Sequence, residues 1–285
     1  MTAQQHELDL NAWTRDGFAI IEGFLPTTTC DMVQAHMAKL VREHAPEAHS
    51  VFSTRTRQHA KDDHFITSSD AIRFFFEEDQ LLDAAGGLQN LSTFDALNKA
   101  GHALHDLDPV FWRLSRLPAL AKLAAQIGFV SPRLIQSMYI FKNPRVGGEV
   151  NWHQDNSFIY TAPLSTVGFW FALEDATVAN GCLMALPGMH VEPPRTRFVR
   201  SEQGLRLDVL DPTPWPTQEA VALEVPKGSL VILHGSLPHA SAPNLSPHPR
   251  PAYTLHIVDG AAQYSDQNWL QRQRPFYGFD DCGCP

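Results

Sequence analysis

A chain of 285 residues with 44% apolar and 19% charged content can bury a full core, which excludes a largely disordered protein. Twenty-two basic against 31 acidic side chains give a net charge of -9 with no Lys/Arg block, which argues against general nucleic-acid binding. No run reaches about 18 apolar residues, and the opening MTAQQHELDL lacks both a basic and an apolar region, so neither a membrane span nor export is expected.

In chain order, DGFAIIEGFL (16–25) alternates weakly and stops at Pro26, which predicts a strand. Thr27 to Thr29 then cap a helix whose apolar face carries Met32, Val33, Met37 and Leu40. Residues 46–70, rich in His, Ser, Thr and Arg, read as a loop that could equally be a substrate lid; Arg55 and Arg57 there read as solvated charges or contacts to an anionic substrate group. The run Arg73 to Glu77 is a buried strand or, through Phe75, an apolar wall for substrate. Helical spacing runs through 94–128 (Leu97, Ala100, Leu104, then Phe111, Leu114, then Leu120, Leu123), broken at Pro109 and Pro118. After Pro132, β-branched and aromatic runs recur between Gly, Pro and Asn at 133–142, 164–173, 182–186, 197–200, 205–210, 220–225, 229–233 and 252–258. This spacing predicts an α+β chain with a mostly β core, an antiparallel sandwich or jelly roll with helices on one outer face. One domain is expected over 1–285, helix-rich in 1–130, barrel in 131–260, with a flexible tail from about 275. Cys30, Cys182, Cys282 and Cys284 are too few and scattered for a disulfide framework and read as reduced cytoplasmic thiols.

His153-Gln154-Asp155 is an H-x-D triplet, and on an extended segment its outer side chains share a face, as two ligands of a facial metal site must. Chance alone produces about one such triplet in a chain of this composition, so context has to carry the assignment. Gly147, Gly148 and Glu149 lead into it from a strand, and the strand at 229–233 runs on to His234 and His239, either of which could be the third ligand. Arg250 stands eleven residues after His239 at the head of another strand, sharing a face with Ala252, Thr254 and His256. Two imidazoles and a carboxylate leave about three positions on octahedral Fe(II), enough for a bidentate co-substrate and O2, and a guanidinium can grip a far carboxylate through two parallel hydrogen bonds. Gln136, a lone polar residue on the face of Met138 and Ile140, is a candidate substrate contact.

The segments DGFAIIEGFL, AIRFFFE (71–77), NKAGHALH (98–105), QSMYIFK (136–142), GGEVNWHQD (147–155), EDATVANGCL (174–183) and AYTLH (252–256) resemble the phytanoyl-CoA dioxygenase (PhyH) family, closest to its domain-containing branch, along nearly the whole chain. The resemblance implies a double-stranded β-helix and an Fe(II)- and 2-oxoglutarate-dependent dioxygenase acting with O2 on a small or lipid-like molecule. It implies His153, Asp155 and His239 as iron ligands, selecting His239 over His234, and Arg250 as partner of the distal carboxylate of 2-oxoglutarate. It also brings Lys99, Met138, Trp170 and Ser241 to the 2-oxoglutarate pocket. Two residues depart from the family pattern: Trp152, which bears on the shape of the substrate pocket, and Pro251, which suggests an edge or a strand start. Related halogenases replace the carboxylate ligand with a small residue, so Asp155 favours hydroxylation. The alternatives are a non-catalytic cupin-like binding protein and a metal-dependent cupin isomerase, neither of which needs Arg250.

Overall fold

The computed structural model describes residues 7–44, 50–52, 62–77, 91–202 and 204–281. In order come α1 (Leu10–Asp16), β1 (Phe18–Ile21), α2 (Thr27–Glu43), α3 (Asp63–Ile66), β2 (Ile72–Phe76), β3 (Leu97–His102), α4 (Leu104–Leu107), α5 (Pro109–Ser115) and α6 (Pro118–Gln126). The strands β4 (Pro132–Ile140), β5 (Val150–His153), β6 (Thr161–Ala162), β7 (Val167–Ala172), β8 (Leu183–Ala185), β9 (Thr196–Ser201) and β10 (Gly204–Val209) follow. The series ends with β11 (Val221–Leu223), β12 (Leu230–His234), β13 (His239–Ser241), β14 (Ala252–Asp259) and β15 (Gln263–Tyr264).

A seven-stranded antiparallel sheet in the order β1-β12-β7-β14-β4-β3-β2 belongs with a four-stranded sheet in the order β11-β8-β13-β5, the two walls of a double-stranded β-helix. Period-two alternation decides what each face of the large sheet meets. Phe169, Phe171, Tyr253, Leu255 and Ile257 point outward into a core shared with Val33 and Met37 of α2, Phe111 of α5 and Leu120 and Leu123 of α6. Trp170, Ala172, Val231, Leu233 and Ala252 point inward and pack with Leu183 and Ala185 of the small sheet. Since the helices cover the outer face, the space between the sheets is left for a site.

Three expectations change and one is narrowed. Residues 97–102 form a strand, not a helix: β3 pairs with β2 and β4, and Asn98 and Gly101 are poor helix formers, so ladder pairing overrides an apolar spacing that suits both periods. The buried stripe of α2 is Cys30, Val33, Met37 and Val41, which leaves Met32 48% exposed. Residues 275–281 are not a loose tail, because the Leu134 N–H donates to the Tyr277 carbonyl at 2.8 Å and Phe279 is buried in the outer core. Pro251 precedes a central strand, since β14 is paired on both sides, so it marks a strand start and not an edge. Part of the loop at 46–70, including Arg55 and Arg57, lies outside the described residues, as do Cys282 and Cys284.

Candidate active site

β5 and β13 are antiparallel neighbours in the small sheet, with His239 directly opposite His153. The chain then leaves β5, and Asp155 opens a short turn in which its carbonyl accepts the N–H groups of Phe158 and Ile159 at 2.9 and 3.0 Å. Gln154, between the two ligand candidates, points the other way: its Nε2 donates to the Ser236 carbonyl at 2.8 Å and its Oε1 accepts the Arg195 N–H at 2.9 Å. The triplet therefore presents His153 and Asp155 to one side while its middle residue anchors the turn.

One ligand atom from each of His153, Asp155 and His239 lies within 4.8 Å of the others. Asp155 Oδ1 is 3.7 Å from His153 Nε2 and 3.8 Å from His239 Nε2. Each imidazole is oriented by its other nitrogen: His153 Nδ1 pairs with the Asn151 carbonyl at 2.8 Å and His239 Nδ1 with the Leu237 carbonyl at 3.0 Å. A carbonyl can only accept, so both Nδ1 atoms donate, which leaves Nε2 of each ring as the atom turned toward the Asp155 carboxylate. Burial, with His239 beside it, pulls His153 down to about 4, so the ring is neutral as a ligand must be. Burial opposes ionisation of Asp155, yet His256, His239 and His153 together hold its carboxyl well below the usual range.

His256 of β14 stands behind this centre, with Nε2 3.4 Å from Asp155 Oδ2. A side chain at Gly168, on the neighbouring strand, would place Cβ 3.2 Å from the same oxygen, so glycine leaves room for the carboxylate. The two glycines of the lead-in loop have a similar cause: a Cβ on Gly147 would lie 2.8 Å from the Lys142 backbone and one on Gly148 2.9 Å from Glu77 Oε2. His234 is elsewhere, packed at an angle against the rings of Trp13 and His190, with Nδ1 accepting the Ser236 N–H at 3.1 Å.

A cavity of about 260 Å³ opens over the triad, and its two ends differ chemically. Toward the head of β14 it is lined by Met138, Trp170, Thr254, Ser241 and Arg250. Arg250 is 1% exposed and donates from Nη2 to Ser241 Oγ at 3.1 Å, while its Nε and Nη1, like Thr254 Oγ1, are buried without a hydrogen-bond partner among the described residues. Burial pulls the guanidinium down to about 10, still charged at neutral pH. A buried cation with two unpaired donor nitrogens is costly unless an anion meets it, which fits the distal carboxylate of a bound 2-oxo acid. Two imidazoles presenting Nε2 and an ionised carboxylate likewise fit Fe(II).

The other end is aromatic, lined by Phe52, Phe65, Phe158, Phe198 and Trp269, with Gln136 and Trp152 also on the wall. Phe75 does not reach the cavity; it is fully buried behind Phe52 and Phe65, which form the wall expected of it. Lys99 is buried on β3, and its Nζ lies 3.2 Å from the centre of the Phe52 ring. Sequence reasoning did not single out His256, although alternation placed it on the face of Arg250 and could have found it. Phe198 and Trp269, by contrast, arrive on a separate hairpin and a C-terminal loop that no local pattern connects to the triad.

Among known proteins, the phytanoyl-CoA dioxygenase (PhyH) family matches residues 13–252. The phytanoyl-CoA dioxygenase domain-containing protein 1 homolog of Dictyostelium discoideum is 41% identical over 271 residues, covering 93% of this chain and 95% of that protein. Phytanoyl-CoA dioxygenase 1 of Oryza sativa subsp. japonica is 43% identical over 267 residues, 93% of this chain and 94% of that one. Among solved structures, EctD from S. alaskensis with 2-oxoglutarate and 5-hydroxyectoine has the same fold, with a TM-score of 0.62 at 18% identity over all of this chain and 85% of that one.

Proposed function

From its membership of the phytanoyl-CoA dioxygenase (PhyH) family, to which this chain belongs as an Fe(II)/2-oxoglutarate-dependent oxygenase, we propose that it hydroxylates a C–H bond of a small or lipid-like organic molecule. The observation that carries the reading is Arg250, a buried guanidinium whose Nε and Nη1 have no hydrogen-bond partner among the described residues, in the same cavity as His153, Asp155 and His239. In this reading those three residues hold Fe(II), which together with 2-oxoglutarate and O2 supplies the oxidising power. His153 and His239 offer Nε2, their rings fixed by Asn151 and Leu237, and Asp155 offers Oδ1 while His256 steadies Oδ2. Arg250 and Ser241 bind the distal carboxylate, Trp170 and Met138 flank the carbon chain, and Lys99, with its Nζ over the Phe52 ring, lines the same cavity as a further co-substrate contact. Gln136, Trp152 and the aromatic wall orient the substrate and exclude water.

The presence of Asp155 as third ligand supports hydroxylation over halogenation, for which that position would be open. Residues 1–285 are read as one catalytic unit, because β1, β2 and β3 hydrogen-bond into the same sheet as β4, β7, β12 and β14. No helix of the described residues is long and apolar enough to cross a membrane, and the free, buried Cys30 and Cys182 support a cytoplasmic setting. The test is succinate formation from 2-oxoglutarate by iron-loaded protein, alone and with a panel of candidate substrates. Slow formation without substrate, stimulated by one of the panel, is expected. Succinate at the enzyme-free background under every condition, with iron bound, would instead mark a non-catalytic binding protein.

A further inference from the structure

Beyond Arg250, the same end of the cavity holds a second buried cation. Lys142, two residues past β4, lines the cavity, is 2% exposed and adopts a left-handed backbone with φ 46. Its carbonyl accepts the Arg250 N–H at 3.2 Å. Its Cε lies 3.0 Å from where a Cβ on Gly181 would be, and the Gly181 carbonyl accepts the Ser241 hydroxyl at 2.9 Å, the same hydroxyl that Arg250 contacts. The Lys142 ammonium donates to the Gly148 carbonyl at 2.5 Å, its one hydrogen bond among the described residues, leaving two N–H groups for a ligand. The ionisable groups whose fields reach it are Arg250, Glu77 and Glu149, and Glu77 is itself engaged with the Gly148 N–H at 3.1 Å.

We propose that the Lys142 ammonium is a second cationic contact for the distal carboxylate of 2-oxoglutarate, beside Arg250. This rests on the 2-oxoglutarate reading above and adds to it a residue that no motif assigned. Burial and the neighbouring Arg250 bring Lys142 down to about 7 in the protein alone. An incoming carboxylate favours the charged form, so binding at pH 8 draws a proton onto Nζ, and affinity falls as pH rises above about 7.

The test is anaerobic calorimetric titration of iron-loaded protein with 2-oxoglutarate and with 2-oxopentanoate, which keeps the keto acid end but has an uncharged tail. Repeating each titration at pH 8 in buffers of different ionisation enthalpy counts the protons taken up. Wild type should bind 2-oxoglutarate with fractional proton uptake. Lys142→Met should weaken 2-oxoglutarate by roughly ten- to a hundredfold, abolish the uptake and leave 2-oxopentanoate and iron binding unchanged. Lys142→Arg should restore most of the affinity without uptake, because its charge does not titrate. Wild-type affinity in Lys142→Met, equal loss for both acids, or persistent uptake in Lys142→Arg would each overturn the proposal; equal loss would show a lysine that only holds the Gly148 loop. Wild type that fails to bind 2-oxoglutarate at all would overturn the 2-oxoglutarate reading itself.

Discussion

At the scale of single residues, the ligand set depends on which nitrogen of each histidine is held by the backbone. His239 has Nδ1 on the Leu237 carbonyl and faces His153 across the ladder, whereas His234 is turned toward Trp13 and His190, where burial pulls it down to about 4. His239→Ala should therefore abolish tight Fe(II) binding, while His234→Ala should retain it and cost about 1–3 kcal/mol of stability from lost ring contacts and the unpaired Ser236 N–H. Metal titration of both variants checks this, and the reverse pattern would show that the wrong histidine had been chosen. The H-x-D pair was legible because alternation along an extended segment is a local property, and so was the face shared by Arg250, Thr254 and His256. Lys142 and Glu77 were not legible: 65 residues separate them, and only the thread of Gly148 between the two makes them neighbours.

At the scale of elements, the strands after Pro132 could be read because turn residues punctuate them, but β5 and β13, which carry the two candidate histidine ligands, have four and three residues and no period to detect. The helical reading of 97–102 failed because small apolar residues at that spacing fit either structure until β2 and β4 supply ladder partners. The C-terminal segment that brings Trp269 to the cavity is fixed by a charge network equally invisible in the sequence. The Arg272 side chain is 1% exposed and joins Asp106 and, at 3.2 Å, Asp70, while Arg116 holds the other Asp106 oxygen at 2.9 Å. Arg272→Met should destabilise the protein by about 3–5 kcal/mol, because the buried Asp106 carboxylate loses one of its two arginine partners and Asp70 loses its own. None of these groups is a candidate iron ligand, so the folded fraction should bind iron as wild type does. Urea unfolding read beside metal titration measures both; an unchanged midpoint would mean that the network contributes nothing net.

At the scale of the whole molecule, several buried bases share one linkage sign. Burial holds His105 at about 3 and His153 and His234 at about 4, below the ordinary histidine value of 6.5. Above pH 6.5 they are neutral folded or unfolded and contribute nothing; as pH falls from 6.5 toward 4 the unfolded chain binds their protons first, removing up to about 1.4 kcal/mol per pH unit per group. Lys142, brought down to about 7 from 10.5, gives the same sign between those values. The urea midpoint of the metal-free protein should thus rise steeply between pH 4.5 and 6.5 and not fall again before pH 9, and a maximum near pH 5 would contradict the buried neutral histidines. The account of the site as a whole stands on co-substrate recognition being separate from metal binding, so the most direct measurement is an anaerobic titration of the iron–2-oxoglutarate charge-transfer absorption in wild type, Arg250→Ala and Arg250→Lys. Removing the buried guanidinium should leave iron affinity nearly unchanged and weaken 2-oxoglutarate by roughly 30-fold to several thousand-fold, with only partial recovery in Arg250→Lys, which lacks the planar fork. Wild-type 2-oxoglutarate affinity in Arg250→Ala would contradict the account, because a buried guanidinium whose Nε and Nη1 have no hydrogen-bond partner among the described residues would then have no part in holding the co-substrate.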